Sequence, residues 1–275
     1  MKVGVSMWSY YRPWKRGHLD ILGFIREAKK AGAEGVELLD FFYKDAAVER
    51  PLIHELLDEL EMPVPIFSVA NNFAKTTEGD REAQVDRIRF GVDEAIRYNA
   101  KIVRVFAGDV AGGSSFDQAR AWIIEGLSEA SKYAADRGIK LALENHGSLA
   151  GRSDQIRLII DDVRARSGND ALWANPDMGN FILVGQPSHE AIRDVARYAT
   201  MCHIKDFAAG EGPFYSLNGQ RFVGAVVTEG IVDLEQCLME LKIVNFDGWL
   251  SVEFEGDEDP FTAVPRSIEK AKALL

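Results

Sequence analysis

Residues 138–147 read GIKLALENHG. Gly138 is a helix stop, the short apolar run Lys140–Glu144 reads as a buried strand, and the strand closes on a carboxylate followed closely by an imidazole, His146. The arrangement returns three times downstream: NPDMGN at Asn175–Asn180, HIKDF at His203–Phe207 and SVEFE at Ser251–Glu255. Each closes or closely follows an apolar run, and each offers one strong metal ligand.

Working outward, the whole chain alternates strand and helix. Strands are expected at Val3–Met7, Gly35–Leu39, Val64–Val69, Ile102–Ala107, Lys140–Glu144, Ala171–Ala174, Met201–Ile204 and Trp249–Phe254. They are short and rich in Val and Ile, as parallel strands buried on both faces are. Between them run helical stripes: Leu19, Leu22, Ile25 and Ala28; Leu52, Ile53, Leu56, Leu57 and Leu60; Trp122, Ile123, Leu127, Ala130 and Ala134; Leu234, Cys237, Leu238 and Leu241; Val264, Ile268 and Ala271. Gly32 and Gly138 supply helix stops. Eight strands in 275 residues give about 34 residues per unit, near the repeat of a (β/α)8 TIM barrel. A doubly wound sheet would carry a glycine-rich turn after its first strand, where this chain has Trp8-Ser9-Tyr10-Tyr11. The expectation is an α/β protein, one TIM-barrel domain over 1–275. Two connections are long, Trp8–Gly17 and Phe207–Val232, and both read as βα loops on the active face.

Composition narrows the partners. The hydrophobic content of 47% fills a full core, and a net charge of −11 argues against nucleic acid. Cys202 and Cys237 lack metal-type spacing and read as reduced core thiols. The N-terminal sequence does not read as a signal peptide and no apolar run is long enough to span a bilayer, so a cytoplasmic protein without membrane contact is expected.

In a strand, alternate side chains share a face. Glu144 and His146 therefore point together, as do His203 with Lys205 and Glu253 with Glu255. Taken singly, each has a bland reading: a solvated rim carboxylate, a hydrogen-bonded imidazole, an Asp177 that holds a turn. Taken together, Glu144, Asp177, His203 and Glu253 come from four successive strand ends. Three carboxylates crowded at a barrel mouth need a partner, and a divalent cation is one. That donor set suits a hard ion, with the imidazole favouring Mn2+.

ENHG, DMGN, HIKD and SVEFE, with the opening VGVSMWSY, GVELLDFF at the second strand and TEGIVDL before the seventh helix, resemble the xylose isomerase-like barrel superfamily of sugar isomerases and epimerases, which also contains endonuclease IV. The resemblance implies that Glu144, Asp177, His203 and Glu253 bind one ion: Mn2+, Mg2+ or Co2+, with Zn2+ an alternative. It also implies that Glu144 and Glu253 act as an acid/base pair across a sugar carbon, as in ketose 3-epimerases. A metal-dependent isomerase or epimerase of a keto sugar or polyol, working through an enediolate, is the leading expectation. A lyase or dehydratase on a 3-keto-glycoside or inosose is the alternative. An abasic-site endonuclease ranks third, because the chain has five His in all and an acidic balance.

Lys205 is expected either to steady a developing oxyanion or to act as a counter-ion for Glu144 or Asp177. Substrate contacts are expected from Trp8, Asn71, His146, Asn180 and Glu255. Asn180 stands where the epimerases commonly place a substrate-binding His, and an amide cannot serve there as an acid. Arg104 reads as a paired charge inside the barrel. A small sugar or polyol is the expected partner. Family members are often dimers or tetramers, so a homo-oligomer is compatible.

Overall fold

The computed structural model describes residues 1–109 and 116–275. In chain order the strands are β1 Lys2–Ser6, β2 Val36–Leu39, β3 Ile66–Ser68, β4 Ile102–Val105, β5 Lys140–Glu144, β6 Leu172–Asn175, β7 Met201–Ile204, β8 Asp206–Tyr215, β9 Arg221–Ala225 and β10 Trp249–Val252. The helices are α1 Tyr11–Lys15, α2 Ile21–Lys30, α3 Ala46–Glu59, α4 Glu78–Arg97, α5 Phe116–Ala135, α6 Ser153–Ser167, α7 Asn180–Leu183, α8 Ser188–Val195, α9 Leu234–Ile243 and α10 Pro260–Ala273.

Eight parallel strands follow one another in the order β6-β5-β4-β3-β2-β1-β10-β7. The ring closes between β6 and β7 through two isolated bridges, Ala174 with Ala199 and Asp177 with His203. His203 N donates to Pro176 O at 3.1 Å and Met178 N to His203 O at 3.1 Å. Pro176 has no N–H of its own to extend the ladder. The fold is the expected TIM barrel, with the helices packed outside.

The barrel interior is built in layers, two residues apart along each strand. The layer at the N-terminal end of the strands is apolar: Ile66, Ile102, Ala142 and Met201, with Trp249 against them. Trp249 closes that end over Gly35, where an added Cβ would lie 2.9 Å from the indole. Two residues further on, the same strands present Ser68, Arg104, Glu144, His203 and Ser251, all buried. The apolar plug therefore floors a polar chamber, and the strand period of two switches the chemistry from one layer to the next.

Strand bounds lie within two residues of those the sequence suggested, β3, β4 and β10 being shorter than expected, while β5 and β7 match. In α2 the buried face is Ile21, Phe24, Ile25 and Ala28. Leu19 precedes that helix, whose cap Asp20 accepts from Gly23 N at 2.7 Å. Gly32 and Gly138 follow their helices with φ of 80° and 66°. Phe207–Val232, read as loop, instead contains an antiparallel hairpin of β8 and β9, with a register break between Ala209 and Phe214. Trp8–Gly17 is wound into a 3-10 turn and α1. Cys202 and Cys237 are buried and unbridged. Among the described residues no helix is long and apolar enough to cross a membrane.

Candidate metal centre and active site

Glu144, Asp177, His203 and Glu253 meet at the C-terminal mouth of the barrel. One donor atom from each lies within 4.8 Å of the others, and all four residues are buried. Glu144 ends β5, His203 lies in β7, and Asp177 and Glu253 follow β6 and β10 by two residues and one. These strands are ring neighbours, so the four side chains converge from one half of the barrel.

Asp177, Glu253 and His203 each have one atom tied down and another left facing the centre, whereas both oxygens of Glu144 are engaged, Oε1 by Asn180 and Oε2 by Asn175 and Arg104. Asp177 Oδ1 accepts from Gly179 N at 2.8 Å and Asn180 N at 2.9 Å, in the turn that opens α7. Its Oδ2 makes no aligned hydrogen bond; it pairs with the Lys205 ammonium at 3.0 Å and lies 3.7 Å from His203 Nδ1. Glu253 Oε2 pairs with Lys205 Nζ at 2.5 Å, while Oε1 lies 3.7 Å from His203 Nδ1. Glu144 is held by Asn175 Nδ2 at 3.3 Å, Asn180 Nδ2 at 3.3 Å and Arg104 Nε at 3.3 Å. Asn145 clamps the two strand ends together, accepting from Asp177 N at 2.6 Å and donating to Asp177 O at 3.1 Å.

His203 shows the same division most clearly. Its Nε2 hydrogen-bonds Glu37 Oε2 at 3.0 Å. Its Nδ1 has no hydrogen bond, yet faces Glu144 at 3.4 Å and Asp177 and Glu253 at 3.7 Å. A carboxylate on one ring nitrogen fixes the tautomer and frees the other nitrogen's lone pair for a metal. Glu37 is itself braced by Ser68 Oγ at 2.5 Å and Ser251 Oγ at 2.6 Å. The sequence reading missed Glu37. Its signal was a lone charge in the four-residue strand VELL, every residue of which is buried.

The donors fit a divalent cation. A fully buried imidazole nitrogen without a partner, ringed by carboxylate oxygens, is costly unless something positive takes that place. In the metal-free protein a proton does so. Burial opposes charge on His203, but Glu37, Glu253 and Glu144 outweigh it and hold the imidazole well above its ordinary range. Burial also pushes Glu144 up to about 7, against the pull of His203 and Arg104, and raises Glu253. Asp177 goes the other way: Lys205 and His203 overcome its burial and hold it low.

A cavity of about 810 Å3 opens above this cluster. Trp8, His146, Asn180, Lys205 and Glu255 all line it. Lys205 is enclosed by Asp177, Glu253 and Glu255, the last at 2.8 Å, so the counter-ion role is visible, with Glu255 and Glu253 as partners in place of Glu144. Trp8 Nε1 donates to Glu255 Oε1 at 2.6 Å. Arg104 is paired inside the barrel with Glu144 and, at 3.9 Å, Glu37. Asn71 is not among the residues lining the cavity: its amide accepts from Phe106 N at 2.9 Å and donates to Phe106 O at 2.6 Å, so it braces the end of β4.

The model of the xylose isomerase-like TIM barrel family matches residues 25–274. An inosose dehydratase of Clostridium botulinum is 26% identical over 151 residues, which are 52% of this chain and 49% of that protein. The match thus spans about half the length of that curated relative. Among solved structures, a D-tagatose 3-epimerase-like protein superposes with a TM-score of 0.80 at 20% identity, covering 100% of this chain and 97% of that one. A xylose isomerase-like TIM barrel protein of Mycobacterium smegmatis in complex with magnesium gives 0.75 at 18% identity, covering 99% and 95%. The 3-keto-D-glucoside 4-epimerase YcjR of E. coli gives 0.74 at 16%, covering 99% of each chain. The structural likenesses establish the barrel, and the family model extends over nearly the whole chain. The chain belongs to the xylose isomerase-like TIM barrel family.

Proposed function

We propose that this protein is a metal-dependent enzyme that removes and returns a proton beside the carbonyl of a sugar or related polyol, and so isomerises or epimerises it. The observation that carries this reading is the pair Glu144 and Glu253, two buried carboxylates raised by their surroundings, meeting at one cation site on the floor of a cavity. A divalent ion held by Glu144, Asp177, His203 and Glu253 would polarise the substrate carbonyl and lower the cost of charge on the adjacent carbon. Mn2+ suits the donor set best, with Mg2+, Co2+ and Zn2+ as alternatives.

The chain's own groups supply the rest. For epimerisation, one of the two carboxylates takes the proton and the other, itself protonated, gives its own proton to the opposite face of the same carbon; both then re-equilibrate with solvent. Both carboxylates reach the same centre, so each is placed to exchange a proton with a carbon held there. Lys205 keeps Asp177 and Glu253 from repelling one another and sits beside the oxygen that gains charge. Asn180 holds Glu144 in place and, as an amide, donates no proton to substrate. His146, its pKa lowered chiefly by burial and by Lys205, enters as a neutral hydrogen-bonding ring.

Dehydration is the second reading, favoured by the inosose dehydratase relative. The same proton leaves first, a β-hydroxyl then departs, and a carboxyl proton completes the water.

The metal-loaded protein should be incubated in D2O with ketoses, inososes and 3-keto-glycosides and followed by NMR. Solvent deuterium should enter the carbon beside the carbonyl. A new epimer or isomer supports the first reading, and an unsaturated product the second. Glu253→Gln should leave the fold intact by circular dichroism and retain less than about a tenth of turnover. Activity at the wild-type level in that variant would remove Glu253 from the chemistry.

A further inference from the structure

The cavity has two properties that enolisation of a simple sugar does not require. Its size is the first: about 810 Å3, high in the range of roughly 300–1,000 Å3 that holds drug-sized ligands. A lone hexose is far smaller. Its walls are the second. Trp8, Tyr11, Trp14 and Phe41 form one continuous aromatic face, with Trp8 stacked on Tyr11 at 4.5 Å and Trp14 meeting Phe41 edge-on at 6.0 Å. Phe214, Tyr215, Leu217, Leu183 and Val184 form another.

Ring position sets the outer parts of these walls opposite one another. Phe41 follows β2, Leu183 and Val184 follow β6, and β2 and β6 stand four places apart whichever way the ring is counted, while Trp8, Tyr11 and Trp14 follow β1, three places from β6. The tip of the β8–β9 hairpin is fastened to the β6 side, where Leu217 N donates to Leu183 O at 2.9 Å, and its base bridges through Gly224 to Gly256 after β10. Tyr215 and Leu217 are 63% and 70% exposed, an unusual outlay of apolar surface at the lip of a polar centre.

Charge gives the complementary limit. The only cations lining the cavity among the described residues are Arg104 and Lys205, and both are already paired with carboxylates. Residues 110–115, VAGGSS, contain no Lys or Arg. Away from the metal centre, an anionic group on the substrate would find no free counter-charge, and would meet Glu255.

Building on the proton-transfer reading above, we infer that the substrate is an uncharged polyhydroxy carbonyl compound carrying a flat apolar substituent, of the aryl-glycoside kind. The hydroxylated ring sits over the metal centre. The substituent lies between the Trp8–Phe41 wall and the hairpin, where stacking and burial hold it.

Binding tests this separately from turnover. The Mn2+-loaded protein is titrated with phenyl β-glucoside, methyl β-glucoside and glucose 6-phosphate, following tryptophan fluorescence and confirming by calorimetry. The phenyl compound should bind about tenfold or more tighter than the methyl one, and the phosphate weakest. Tyr215→Ser and Leu217→Ser change exposed side chains, so folding is not at stake, and both should lower the phenyl-to-methyl ratio. Equal binding of phenyl and methyl compounds, or tightest binding of the phosphate, overturns the inference. The 3-keto derivatives of the same two glycosides are then followed for deuterium uptake in D2O. Failure of both to exchange counts against the proton-transfer reading and leaves the binding result standing.

Discussion

Glu37 and His203 carry more of the account than any other pair of residues. Glu37 touches no atom at the centre of the ligand cluster, yet it decides which imidazole nitrogen can serve as a ligand. His203 acts together with Arg104 and Ser251 to hold it well down, to about 2, despite complete burial that pushes the other way. It is therefore ionised at every working pH. Replacing it by Gln keeps the shape and loses the charge that fixes the tautomer. Glu37→Gln is expected to weaken metal binding by about 10- to 100-fold, measured by calorimetry. An unchanged affinity would mean that the brace is only packing. The pH dependence follows from the same geometry. In the metal-free protein His203 is held protonated, and Glu144, at about 7, is protonated for part of the time near neutrality. A cation must displace those protons, so affinity should strengthen as pH rises from about 6 to 8, with protons released on binding. Titrations in buffers of different ionisation heat would count them, and zero release would contradict the assigned ligand atoms.

At the scale of elements, the four motifs that close or follow β5, β6, β7 and β10 were readable because each combines an apolar run with a ligand-type residue at its end. Alternation along those strands also brings Glu144 and His146 to the cavity side together, and carries Lys205 there above the fully buried His203. Two features escaped that logic. Glu37 sits inside an otherwise apolar strand, where a single charge does not alter the periodicity. The β8–β9 hairpin is interrupted by Gly210, Gly212 and Pro213, and its register breaks between Ala209 and Phe214, so no clean period of two survives. Asn71 was misplaced for a different reason: a polar residue at a strand end reads alike whether it meets substrate or a neighbouring backbone. The hairpin depends on close approach at Gly224, which bridges to Gly256. A Cβ at Gly224 would lie 2.4 Å from the Glu255 carbonyl carbon, so the hairpin would have to lift away from the end of β10. Gly224→Ala is expected to raise KM several-fold more than it lowers kcat, because it displaces the cavity wall and spares the metal ligands. Equal losses in both would show that the hairpin also shapes the reacting centre.

For the whole molecule, the barrel's layered interior explains why the site lies where it does. The apolar plug of Ile66, Ile102, Ala142, Met201 and Trp249 seals one end, and Arg104, Glu144 and His203 lie two residues further along the same strands, on the other side of it. The fold was legible from strand count, repeat length and the missing phosphate turn, because those depend on period and not on contacts. What the cavity selects was not legible, because its walls come from loops distant in sequence. The central claim is that one divalent cation sits among Glu144, Asp177, His203 and Glu253. Anomalous diffraction from crystals grown with Mn2+ tests it most directly. One peak per chain is expected, in direct contact, about 2.0–2.2 Å, with His203 Nδ1 and an oxygen of each carboxylate. No peak at the mouth, or a peak bound through His203 Nε2 in place of Nδ1, would contradict the account.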